Sequence, residues 1–97
     1  MRYEIILSPK AVEDLRRLDA RTRASVRDAL EVHLRHEPTK LSRSRIKRLR
    51  GLAQPQYRLR VEDVRVFYDV GEDSVEILAI LFKPMVDEWL KREGKSL

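Results

Sequence analysis

The chain has 97 residues, of which 42% are apolar and 38% charged, with a net charge of +5 and no cysteine. This is enough for one domain with a single modest core, spanning residues 1–97. It excludes a disulfide framework and a thiolate metal site. With no apolar run near the ~20 residues of a bilayer span, it also excludes a transmembrane helix. The apolar run at the N-terminus is too short for a signal peptide and has an acid inside it, so a cytoplasmic location is expected.

Charge is unevenly spread. Residues 1–37 carry a net +1 and residues 62–97 a net −4. Residues 38–61 hold eight basic side chains and no acid (Lys40, Arg43, Arg45, Lys47, Arg48, Arg50, Arg58 and Arg60). Such a stretch is the electrostatic footprint of a nucleic-acid binder. An acidic protein partner fits it as well. A membrane surface fits least, because the stretch lacks amphipathic helical periodicity.

In chain order, Tyr3 to Leu7 reads as a short strand. Ser8-Pro9 then supplies an N-cap and a first-turn proline. The helix they open runs to about Leu18, with Ala11, Val12, Leu15 and Leu18 on one face. Asp19 caps a second helix that ends at Glu37, before Pro38; Thr22, Val26, Ala29, Leu30, His33 and Leu34 form its buried side. The two make a helical hairpin, which must lie on a sheet. Thr39 to Ser44 is a loop, and Arg45 to Leu52 is an extended basic run.

Tyr57 to Tyr68 alternates apolar and polar residues on both sides of Glu62-Asp63, the pattern of a β-hairpin. A two-residue loop puts Val61 opposite Val64, Leu59 opposite Val66 and Tyr57 opposite Tyr68, all on one face. Arg58, Arg60, Arg65 and Phe67 then share the other. Arg60 directly across from Arg65 costs a few tenths of a kcal/mol or more in repulsion. A solvated arginine face explains the pattern blandly. A polyanion site explains it better once the basic run upstream is added, with guanidinium forks on phosphates and Phe67 as a stacking surface for a base.

After a turn at Gly71 to Asp73, Val75 to Phe82 is apolar on both sides, as a central strand is. A last helix, from about Pro84 to Arg92, is expected to shield Leu78, Ile80 and Phe82, and residues 94–97 are expected to fray. The order is β-α-α-β-β-β-α. It describes an α+β domain in which a small antiparallel sheet carries a helical hairpin on one face, with a short C-terminal helix. His33 and His36 have no ligating companions at a metal spacing, so no metal and no cofactor is expected.

Arg48-Leu49-Arg50-Gly51-Leu52, then Tyr57-Arg58-Leu59-Arg60-Val61, then Val64-Arg65-Val66-Phe67-Tyr68, in that order, resembles the central signature of the RelE/ParE toxin superfamily. Ser8 to Leu18 resembles its first helix. The resemblance implies the toxin of a type II toxin–antitoxin pair, with a cognate antitoxin protein as partner. RelE-type members are mRNA endoribonucleases (mRNA interferases) that act in the ribosome and inhibit translation; ParE-type members inhibit DNA gyrase and are not nucleases. By position, Arg58 and Arg60 match the two basic residues of the first hairpin strand, and Arg65 the arginine of the second. Lys47, Arg48, Arg50 and Phe67 are expected RNA contacts. At the C-terminus the chain departs from the RelE pattern of a basic residue and a tyrosine. It offers only Lys83, which together with the three arginines completes the expected catalytic set.

Cleavage by a 2′-OH requires a base, stabilisation of the phosphorane and an acid for the leaving oxygen. Arginines supply the second; they do not act as bases near neutrality. Lys83, Asp69 and Glu62 are the candidates for the first. The leading expectation is a RelE-like, ribosome-dependent endoribonuclease, with a ParE-like gyrase inhibitor and a non-toxic RNA-binding relative as alternatives.

Overall fold

A computed structural model describes all 97 residues. Strand β1 (Glu4–Leu7) leads into helix α1 (Pro9–Arg17), where the Ser8 hydroxyl accepts from the Ala11 amide as foreseen. Helix α2 (Ala20–Ala29) is capped by Asp19, whose side chain accepts from the Thr22 amide. It continues as a wider π turn, Leu30–Leu34, rather than as α-helix to Glu37. The turn is anchored by Arg35, which pairs with Glu31 and donates to the Tyr3 carbonyl. Pro38 brings no amide to prolong the helix.

The main sheet has the order β1-β6-β5-β4-β2 and contains β2 (Ile46–Arg48), β4 (Tyr57–Val61), β5 (Val64–Val70) and β6 (Ser74–Phe82). All its pairs are antiparallel except β1 with β6. The hairpin register is the expected one: Tyr57 with Tyr68, Arg58 with Phe67, Leu59 with Val66, Arg60 with Arg65 and Val61 with Val64. On one face, Leu59, Val64, Val66, Tyr68, Val75, Ile77 and Ile80 meet Ala11, Leu15, Leu18, Val26, Leu30 and Leu34 of the helical hairpin. Beyond the end of β1, the exposed edge of β6 is satisfied by α1 side chains: the Ser8 hydroxyl donates to the Leu78 carbonyl and Asp14 accepts from the Ile80 amide.

Helix α3 (Val86–Glu93), entered through a 3-10 turn at Lys83–Met85, covers part of the opposite face. Which residues it covers differs from expectation. A bulge between Phe67 and Tyr68 adds Leu78 to β6, and this reverses side-chain parity beyond it. Ala79 and Leu81 therefore face α3 beside Leu78, Ile80 turns to the main core, and Phe82 stays 47% exposed. The chain end is also more ordered than expected. Strand β7 (Lys95–Ser96) pairs with β3 (Leu52–Gln54), and the Leu97 amide donates to the Gly51 carbonyl, so backbone bonds that the side chains do not advertise hold residues 94–97.

Candidate functional site

The face that α3 leaves open is built by the alternation of β4 and β5. Arg58 and Arg60 project from β4 and Arg65 from β5, and Lys47 of β2 lies directly across from Arg58. The row Lys47–Arg58–Phe67 and the pair Arg60–Arg65 thus bring four cations to one side of the sheet. None of the four makes an ion pair with a carboxylate of the chain. Lys83 is exposed at the hairpin-tip end of this face, its amide donating to the Asp63 carbonyl at 2.8 Å.

The arginines differ in their surroundings. Arg60 is exposed. Arg58 is half-buried, and its Nε is buried without an acceptor. Burial lowers the Arg58 pKa first, with the charges of Arg65 and Arg60 adding to the shift. Arg65 is only 7% exposed, and its Nη1 donates to the backbone carbonyls of Glu62 (2.8 Å) and Val64 (3.1 Å). Its pKa is lowered by burial and by Arg60, against a smaller opposing effect of Asp63. A buried N–H without a partner is costly, and so are guanidinium groups gathered without a counter-ion. An external anion at the open face relieves the second.

Three expectations need correction. Phe67 presents no surface to a base: it is fully buried, its ring centroid 5.2 Å from that of Trp89, because α3 lies over it. Arg48 is not part of the cationic face. It sits on the other side of the strand from Lys47, over the Tyr57 ring at 5.4 Å, with its Nη1 donating to the carbonyls of Leu49, Leu52 and Gln56. That is a clamp on the Leu49–Gln56 excursion, and Arg50 is exposed within the same excursion, outside the strand rows. Nor are the two carboxylates free as bases. Both Asp69 oxygens are engaged, by the Gln54 side chain (2.6 Å) and the Gln56 amide (2.8 Å), and Glu62 pairs with Arg21 at 3.1 Å.

The residues therefore form a cationic face with little proton-transfer chemistry beside it. His33 and His36 lie in and after the π turn, on the helical side, where His36 Nδ1 contacts the Met1 carbonyl. No three His, Asp or Glu side chains come together as a metal-binding group, and no helix is long and apolar enough to cross a membrane. What the sequence did not disclose is that Lys47 stands across from Arg58. The loop between their strands contains β3 and a turn, and no periodicity crosses it.

The fold has parallels among solved structures. The chain is similar to a chain of the archaeal RelE–RelB complex from Pyrococcus horikoshii OT3, with 26% identity over 86% of this chain and 97% of that one and a TM-score of 0.64. Its fold also matches a chain of the RelBE2 toxin–antitoxin complex of Mycobacterium tuberculosis (24% identity, 84% of this chain and 99% of that one, TM-score 0.70). A mutant E. coli toxin RelE in the free state gives 20% identity, 96% and 99% coverage and a TM-score of 0.69. No curated protein sequence matches this chain significantly. The family model described as the ParE toxin of the type II toxin–antitoxin system parDE matches residues 5–83, from β1 through the whole arginine hairpin to Lys83, and the chain accordingly belongs to the RelE/ParE family of type II toxins.

Proposed function

We propose that this toxin is RelE-like: its cationic face grips the phosphates of mRNA in the ribosome, promotes strand cleavage there and so stops translation. The observation that carries this reading is the convergence of Lys47, Arg58, Arg60 and Arg65 on one face with no carboxylate partner. Cations so placed stabilise a pentavalent phosphorane. Lys83, exposed at the tip end, is the ionisable side chain best placed to assist proton transfer. With no free carboxylate or histidine at hand, catalysis leans on electrostatics and on orientation of the 2′-OH by the ribosome. Cleavage of free RNA is then weak or absent. A cognate antitoxin is the expected partner in the resting state; toxin–antitoxin complexes among the similar structures support this.

The test is induced expression followed by primer extension on cellular mRNA. Cuts within codons, abolished by Arg60→Ala, support the reading. A second reading, inhibition of DNA gyrase, is favoured by the ParE family model and by the scarcity of proton-transfer groups. Intact mRNA together with trapped gyrase–DNA cleavage complexes would replace the first reading with the second.

A further inference from the structure

The four cations on the open face are not equivalent. Arg60 and Lys47 are exposed, and Arg58 is half-buried, its Nε buried without an acceptor and its guanidinium bonded to no backbone carbonyl. Arg65 is withdrawn, with Nη1 held on the carbonyls of Glu62 and Val64. Those bonds close onto the hairpin tip, where Glu62 has φ +54°, a left-handed conformation that a residue with a Cβ adopts reluctantly. The tip is further fixed by Arg21 on the Glu62 side chain and by the Lys83 amide on the Asp63 carbonyl. Opposite this fixed charge, in the directly paired position, stands Arg60. Like charges across a strand pair repel, and only the exposed partner is free to move outward.

We infer that Arg65 is a positioning residue, which locks the hairpin tip and drives Arg60 toward solvent, while Lys47, Arg58 and Arg60 make the phosphate contacts. This rests on the RNA-binding reading above and divides the labour within that face. Three contacts predict a slope of log affinity against log salt near −2 for single-stranded RNA, or roughly 20-fold weaker binding from 50 to 200 mM salt.

The experiment measures binding of the isolated toxin to a short single-stranded RNA across salt concentrations. Arg58→Gln and Arg60→Gln should each flatten the slope by about 0.7, one phosphate contact. Arg65→Gln should lower affinity by a similar factor at every salt concentration and leave the slope intact, and Arg65→Lys, which keeps the charge, should restore most of the loss. A purely structural role would lower the melting temperature without this split. Should Arg65→Gln fold poorly, NMR of the arginine Nε–Hε groups in the unaltered protein decides: RNA should shift the signals of Arg58 and Arg60 and leave that of Arg65 in place. A slope reduced by about 0.7 in Arg65→Gln, or an RNA-induced shift at Arg65 equal to that at Arg60, overturns the positioning role but keeps the RNA reading. Salt-independent or absent binding by the unaltered protein refutes both.

Discussion

Replacing Arg58 by methionine should make the protein more stable and less toxic, a combination that few explanations other than a binding role produce. The side chain rises from the middle of β4, between Lys47 and Phe67, and its Nε is buried with no acceptor. An orphaned buried donor costs about 1–3 kcal/mol. The like charge directly across the strand pair, Lys47, adds about 0.2–1 kcal/mol, and the charges of Arg65 and Arg60 act on this group in the same sense. Methionine keeps an unbranched stem of similar length and removes both penalties, at some cost from exposing its own tip. A net gain of about 1–2 kcal/mol follows, which for a domain of this size raises the melting temperature by roughly 5–10 °C. Urea denaturation should show the midpoint moving up with an unchanged slope. In the same variant, growth arrest on induction should be lost. The reasoning fails if Arg58→Met is less stable than the parent, because the guanidinium would then contribute to folding rather than strain it.

Three further substitutions probe the framework. Tyr68 is fully buried, and its hydroxyl donates to the Pro38 carbonyl at 2.7 Å, so Tyr68→Phe should cost about 1–1.5 kcal/mol by denaturant titration. Burial likewise keeps the Tyr68 phenol protonated well above the ordinary tyrosine range, so no phenolate absorbance should develop from it in the folded protein at pH 11. A Cβ on Gly94 would lie 2.5 Å from the Leu90 carbonyl oxygen; Gly94→Ala should therefore loosen the end of α3, at about 1–3 kcal/mol, and red-shift the fluorescence of Trp89, the only tryptophan. Burial depresses the His33 pKa, with Arg45 adding and Asp28 opposing. The unfolded chain then binds more protons below about pH 6.5, so this contribution is intact above that pH and is lost as pH falls toward the lowered folded value. His33→Gln should flatten the stability profile in that window.

The hairpin was legible to the residue, because period-two alternation on both sides of a two-residue break admits one register. Both helix caps were legible for a similar reason: Ser8 and Asp19 each announce a backbone need that a side chain meets locally. What escaped were effects with no local signature. Val75 to Phe82 is apolar on both faces, so its letters carry no parity and the bulge at Leu78 leaves no trace in them. Phe67 reads as an exposed ring until Trp89, distant in sequence, folds over it. Arg48 and Arg65 look like their neighbours in composition, yet they spend their donors on backbone carbonyls, and only the path of the chain determines that. The family signature gathered residues that share one cationic face, Arg58, Arg60 and Arg65, with others that serve the backbone or the core, Arg48 and Phe67.

Where the acids went is as informative as where the arginines sit. Residues 62–97 carry nine acidic side chains, and β5, β6 and α3 all border the cationic face. A single Asp or Glu in place of Lys47 would give Arg58 a cross-strand partner and stabilise the fold. The nearby acids are instead turned to other uses: Glu62 holds Arg21, Asp69 holds the Gln54–Gln56 turn, and Glu88 and Glu93 pair with Arg92 within and at the end of α3. A chain with so many carboxylates has the means to neutralise its arginines, yet it leaves all three on this face without an ion pair. Arg65 offsets its burial through its bonds to the hairpin tip. Folding gains little from holding Lys47, Arg58 and Arg60 beside it, since their mutual repulsion and the orphaned Arg58 N–H are unfavourable to the isolated chain. The arrangement becomes favourable only when the negative charge arrives from another molecule, and that is the reason for proposing a binding role for Lys47, Arg58 and Arg60.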